Sequence, residues 1–257
     1  MRSGSITTSA FLLLFVLVLL SLVGPARAWN LLETEIVEPR PVVPGHIECE
    51  MRSIYGAHAN AGIDDELETR RQGLLLMTYG CETGLTRWAD VEVEAKTQWP
   101  SGAGAEYIGT DIGIRIRLPN VGPVRLGWEV EPEMPLVGPS RLEVGQRLLV
   151  ETAWRGWRLV ANPLFEIPVV TREQRAVHVG YAASVTHALG DGFDLGLDAF
   201  GDLGTAPHSA DSPPREAYVF PMLGWHHGAL RLSIGPGLGL TRASDPVLLR
   251  FFAEAGF

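Results

Sequence analysis

Lysine is almost missing from this chain. Lys96 is the sole lysine among 21 basic residues, set against 30 Asp and Glu for a formal net charge of −9. No basic tail or patch is present, which excludes the electrostatic footprint of a nucleic-acid binder. Cysteine is scarce as well, with only Cys49 and Cys81. A long apolar run is also lacking: the one candidate, residues 11–23, is shorter than the roughly 20 residues a membrane-spanning helix needs. No helix-opening phosphate loop is written either, because the glycine-rich run 235–239 precedes more strand-like sequence. What the chain has in quantity is Gly (29) and Pro (18), at 46% hydrophobic and 20% charged residues, a composition of many short strands and turns.

The N-terminus reads as an export signal. Arg2 precedes the apolar run, and Ala26-Arg27-Ala28 offers small residues at a cleavage site, so residues 1–28 are expected to be removed and Trp29 to open the mature chain. A retained N-terminal anchor is the alternative. Residues 29–45 carry Pro39, Pro41 and Pro44 and are expected as an extended periplasmic lead-in outside any core.

From 46 to 257 the dominant signal has a period of two. Twelve strands are expected at about 46–55, 73–81, 88–98, 108–118, 123–131, 142–153, 157–166, 177–186, 193–201, 217–226, 230–240 and 247–257. Each approaches the 9–11 residues of a tilted transmembrane strand. The cleanest oppose Val91 and Val93 to Asp90, Glu92 and Glu94; Ile112, Ile114 and Ile116 to Asp111, Arg115 and Arg117; and Leu126, Trp128 and Val130 to Arg125, Glu129 and Glu131. Pro221 marks a weak spot or bulge in the tenth strand. Connections after even-numbered strands are short (82–87, 119–122, 154–156, 189–192, 227–228). Several after odd-numbered strands are long (56–72, 99–107, 202–216). Short periplasmic turns with longer outer loops, and one face nearly free of charge, predict an antiparallel transmembrane β-barrel with both termini in the periplasm. A soluble two-sheet sandwich is the competing architecture. Trp88, Trp99, Tyr107, Trp154, Trp157 and Tyr218 stand at strand ends, where an interfacial girdle would place them. Cys49 and Cys81 fall low on the antiparallel first and second strands, as a disulfide or as two unpaired thiols.

The last strand puts Val247, Leu249, Phe251, Ala253, Ala255 and Phe257 on one parity and ends on the aromatic ring. It resembles the final strand of bacterial outer-membrane β-barrels. That resemblance makes Phe257 an assembly signal read by the barrel-assembly machinery, and implies the cell outer membrane of a Gram-negative bacterium, with outer-membrane lipid around the barrel. The run Tyr79-Gly80-Cys81-Glu82-Thr83-Gly84-Leu85-Thr86-Arg87-Trp88, followed by alternating Val and Glu, is similar to the outer-membrane transporters of the MetA-pathway phenol-degradation type. The segment 159–162 also fits, and Cys81-Glu82-Thr83 interrupts the compact form of the motif. The resemblance implies a barrel with a transport role and carries no catalytic or binding residues.

Strand direction places Glu129, Glu131, Glu143 and Glu166 towards the outer end of the lumen and Arg115, Arg117, Arg125 and Arg158 towards the periplasmic end. One reading is an acidic vestibule above a basic constriction, tuning the selectivity of a passive channel for small polar or amphipathic solutes. The other is a salt-bridged filling, in which Asp90, Glu92 and Glu94 face Arg115 and Arg117. That reading gives a non-conducting structural barrel with residues 202–216 as a surface epitope. A lipid-modifying barrel enzyme comes third: outer-membrane phospholipase A uses a Ser/His pair on the lipid face, whereas His178 and Ser184 share the polar face. No enzyme activity, cofactor or metal is expected, and His226-His227 lack a third ligand. A monomer or weak oligomer is expected, with an unknown small solute as the remaining partner.

Overall fold

Successive side chains of a strand point to opposite faces, so a chain of alternating segments buries one parity if the sheet closes on itself. The computed structural model describes residues 34–59, 63–64, 69–135, 143–168, 177–206 and 215–257. The expected signal segment 1–28 lies outside them. The strands are β1 (Ile47–His58), β2 (Ile63–Asp64), β3 (Thr69–Arg70), β4 (Leu75–Thr86), β5 (Ala89–Trp99), β6 (Glu106–Val121), β7 (Val124–Pro135), β8 (Glu143–Trp154), β9 (Trp157–Pro168), β10 (Val177–Gly190), β11 (Phe193–Ala206), β12 (Ala217–His227), β13 (Leu230–Gly239) and β14 (Val247–Gly256). The two-residue β2 and β3 pair only with each other. The other twelve form a closed antiparallel barrel in which β1 lies between β4 and β14. Ile47 and Phe257 exchange both backbone hydrogen bonds (3.2 and 2.8 Å), sealing the barrel where the chain ends.

The parities sort as their chemistry requires. Ile112, Ile114, Ile116, Leu195, Leu197, Leu223, Ile234, Leu238 and Leu249 are exposed on the outer face. A continuous apolar belt of this kind suits lipid and not water. Trp88, Trp154 and Trp157 fringe it at one end and Tyr107 at the other. Tyr218 is a correction to the expected girdle: it has the inward parity of β12 and is fully buried. Its hydroxyl donates to Glu216 at 2.8 Å.

Strands run further than the sequence pattern suggested, and the turns shrink to two residues at 87–88, 122–123, 155–156, 191–192 and 228–229. Arg155 and Gly156 (φ 49° and 81°) and Asp191 and Gly192 (φ 54° and 80°) all have positive φ. This primed-turn geometry matches the twist of the flanking strands. Glu82, expected in a turn, consequently belongs to β4 and faces inward.

Residues 29–45 require the largest correction. The described part, 34–45, is extended but is not outside the core. Val37 and Val42 are 2% and 4% exposed, and their partners are inward-facing residues of β5 and β9. The segment threads the barrel and leaves beside β4, where Pro44 pairs with Gly84. A Cβ at Gly84 would stand 2.2 Å from the Val42 carbonyl oxygen, so only glycine lets the two backbones approach this closely.

Cys49 lies directly opposite Cys81 in the β1–β4 register, and the two form a disulfide with Cα atoms 4.1 Å apart. Because it closes a 32-residue separation, the Cys49→Ser/Cys81→Ser double variant is expected to lose about 2–4 kcal/mol. The loss would be read as a lower midpoint of heat-induced unfolding on gels. An unshifted midpoint would show that the bridge contributes no stability.

Candidate channel lumen

The inner face has two chemically distinct sides. On β1 and β5–β8 it carries Glu50, Arg52, Asp90, Glu92, Glu94, Lys96, Asp111, Arg115, Glu129, Glu131, Arg147 and Glu151. On β10–β14, continued by Ile54 and Leu76, it carries the apolar cluster of Ala182, Phe200, Phe220, Met222 and Leu248, with Ser184, Asp202 and the Arg250–Asp198 pair (2.5 Å) beside it. Residues 34–45 are fastened to the charged side.

Three guanidinium groups organise that side. Arg52 contacts Glu35 and Glu50 (2.8 Å each) and Glu94. Arg115 meets Glu82 at 3.0 Å, Glu92 at 3.5 Å, and Asp90 and Glu129 at 3.8 Å. Arg147 binds Glu35 at 2.5 Å, Glu129 at 3.2 Å and Glu131 at 3.6 Å. Glu35 therefore bridges Arg52 and Arg147 from inside the barrel. Nearer the short-turn end, Glu38 meets Arg158 and Arg231, and Arg40 joins Arg125 on Glu151.

Backbone contacts fix the segment as firmly as charge does. The fully buried Asn162 accepts the Val37 N–H through Oδ1 (2.9 Å) and donates from Nδ2 to the Val37 carbonyl (3.0 Å). This carboxamide does what a neighbouring strand would do for an isolated peptide group. Val42 donates its N–H to Asp90 Oδ2 at 3.0 Å. Pro39 packs on Gly127, where a Cβ would stand 3.1 Å from the proline ring.

The expected separation into acidic and basic layers is not what the fold builds. Glu129 is opposite Arg115 in the β6–β7 register and opposite Arg147 in the β7–β8 register, so acid and base share one level. Glu131 belongs to Arg147, and Glu166 pairs with His178 at 2.8 Å. The Glu143 side chain lies outside the described residues. Of the bases, Arg115 is central, Arg125 and Arg158 serve Glu151, and Arg117 is exposed, 5.9 Å from the Trp88 ring. Sequence reasoning missed Glu35, Glu38 and Asn162 as interacting groups. The mixed Glu, Val, Pro and Arg composition of 34–45 was the only signal for the two glutamates, and Asn162 showed only the polar parity of 157–166.

Two acidic triplets, Glu35-Glu92-Glu94 and Glu94-Asp111-Glu131, bring carboxylate oxygens within 4.8 Å of one another. The cations beside them are Arg52, Arg115, Arg147 and Lys96. Ser184 donates to Asp198 at 2.6 Å, while His178 is held between Glu166 and Asp202. These hydrogen bonds do not join the serine to the histidine.

At the long-loop end Arg71 meets Glu216 (2.6 Å) and Asp245 (3.5 Å), tying the segments before β4, β12 and β14 together. Burial pushes the Glu216 carboxyl up to about 7 against the opposing pull of Arg71 and the Tyr218 hydroxyl.

With this geometry established, comparison with known proteins adds the class. No family model matches the chain, and no curated protein matches its sequence. Among solved structures the barrel is similar to an outer membrane channel from Pseudomonas putida F1, with a TM-score of 0.53 at 12% identity, covering 90% of this chain and 100% of that one. It is also similar to the Salmonella typhi outer membrane phospholipase (TM-score 0.44, 11% identity, 82% and 90% covered). A third is Pseudomonas aeruginosa OprD (0.37, 8%, 82% and 66%). The fold is that of the outer-membrane β-barrels, and the two lower similarities carry no further argument.

Two outcomes test the lumen. Arg147→Ala leaves Glu35, Glu129 and Glu131 short of a cation and should destabilise the barrel by about 3–5 kcal/mol, with Arg147→Lys recovering only part. A loss under about 1 kcal/mol by denaturant titration, the range of an exposed pair, would remove Arg147 from its central role. Because the Glu216 pKa is raised above its ordinary value of 4.5, its contribution to stability is complete below about 4.5 and disappears as pH rises through about 7. Amide exchange around 240–246, corrected for intrinsic rates, should accelerate between about pH 5 and 8, and Glu216→Gln should flatten that dependence.

Proposed function

We propose that this protein is an outer-membrane channel for small solutes, kept closed at rest by its own residues 34–45. The observation that carries this reading is the Asn162 clamp on Val37, together with Asp90 on Val42 and the glycine seats at 127 and 84. These groups are shaped to receive a peptide segment, and a barrel stabilised only by its wall would not need them. The similarity to the Pseudomonas putida channel and the local 79–88 motif support kinship with the outer-membrane transporters of the MetA-pathway type. Released from the segment, Arg147, Asn162 and Glu151 would line a polar passage. The reading assigns no catalytic role to any residue.

A second reading, a non-conducting structural barrel, draws on the same ion pairs as permanent filling. Deleting residues 34–45 while keeping the export segment separates the two. A channel gives discrete and larger conductance steps in planar bilayers than the full chain. Glu129→Gln/Glu131→Gln in that background then shifts the reversal potential towards anions. A folded deletion variant that stays silent favours the structural barrel.

A further inference from the structure

The β12–β13 contact differs from every other wall contact in one respect. Val219 faces Leu238 and Leu223 faces Ile234 in this register, which sets Pro221 directly opposite Pro236. The Leu240 N–H donates to the Ala217 carbonyl at 2.8 Å. Counting from there, every second pair, including Pro221 with Pro236, is one whose members would exchange both N–H···O bonds. Proline has no N–H to give. Both bonds of the pair are absent, and the ladder breaks across 220–222 and 235–237 while β11–β12 and β13–β14 continue without interruption. Pro132 and Pro163 also interrupt ladders, but each faces a residue that keeps its donor. Among the described residues, Pro221 and Pro236 are the only prolines set face to face.

The break lies in the apolar belt. Pro221, Leu223, Ile234, Pro236 and Leu238 are all exposed on the outer face. On the inner face Gly235 and Gly237 offer no side chain. A Cβ at Gly237 would stand 2.3 Å from the Phe220 ring, and one at Gly235 2.5 Å from the Met222 sulfur. Two β12 side chains, one of them a flexible thioether, therefore cover the break from within. Directly behind them Phe200 stands edge-on to Phe220 at 5.6 Å, and the Arg250 guanidinium, paired with Asp198 at 2.5 Å, lies 5.0 and 6.0 Å from these two rings. A backbone seam lacking ladder bonds at membrane depth is the cheapest place to part a barrel wall, and here its outer side is apolar and its inner side is covered by Phe220 and Met222.

We propose that the β12–β13 seam is a lateral port through which a small apolar solute passes between the cluster of Phe200, Phe220, Met222 and Leu248 inside the barrel and the surrounding lipid. This rests on the channel reading and adds to its polar axial passage a second, lateral route for a different class of solute. Movement of Phe220 and Met222 into the lumen opens the port, and the Arg250–Asp198 pair at its inner end is already mutually satisfied.

The test places the full-length Met222→Cys variant in nanodiscs containing a phospholipid with a maleimide midway along its acyl chain. The introduced thiol faces the lumen and reacts if the seam opens to lipid. Pro221→Val/Pro236→Val, which restores both donors while keeping the apolar surface, should slow labelling about tenfold or more. Ala182→Cys is also buried in the lumen but lies where both flanking ladders are continuous, from Gly180 to His187, and should stay unlabelled. Labelling of Met222→Cys no faster than Ala182→Cys, or unchanged by the two valines, overturns the port. Bilayer conductance of the 34–45 deletion keeps the two ideas apart. Conductance without labelling loses only the port, and labelling without conductance loses the channel and leaves a lipid-accessible pocket.

Discussion

Charge removed from water has to be paired, and in this barrel the wall alone does not arrange the pairing. Arg52, Arg115 and Arg147 stand among more carboxylates than three guanidinium groups can neutralise one for one, and each is held in place by several. Glu35 enters this set from the threaded segment and links Arg52 to Arg147 across the lumen. Breaking such a network at one member leaves the others buried and uncompensated, which costs far more than an exposed ion pair. The segment and the charged wall therefore form one interaction system, and the position of each depends on the other.

That dependence explains why the lumen is lopsided. An extended peptide needs donors and acceptors for its backbone, and the charged side supplies them through Asn162 and Asp90. The opposite side receives one polar partner from the segment, Glu38 on Arg231, and is filled otherwise by Phe200, Phe220, Met222 and Leu248. Small residues accommodate both. Gly84 and Gly127 admit the segment, and Gly235 and Gly237 admit the bulk of β12. Polar closure on one side and largely apolar closure on the other underlie the two openings proposed above, release of the segment along the axis and parting of the β12–β13 seam towards lipid.

Much of the architecture was legible beforehand. Twelve strands, their order, their inward and outward parities and the contrast between short and long connections all follow from alternation and turn residues. Those signals are local and repeat along the chain. The alternating faces of 88–98, 108–118 and 123–131 were especially clear because charge and branched apolar residues never exchanged parity there. Tyr218 misled because a strand-end aromatic looks alike in sequence whether it points to the membrane interface or to the lumen.

The sequence by itself determined a closed sheet with a greasy exterior and a charged interior, since hydrophobic periodicity encodes which face meets which medium. It also placed Cys49 and Cys81 on adjacent strands. Only the tertiary structure decided what fills the interior. Whether Glu129 stands in a vestibule or in an ion pair depends on the register that brings Arg115 and Arg147 beside it. Whether residues 34–45 lie outside or inside depends on Asn162, 125 positions away from Val37. The face-to-face meeting of Pro221 and Pro236 is likewise a fact of register. Periodicity reports the face on which a residue lies, but contacts between distant strands come from closure of the barrel, and a one-residue slip would remake them all.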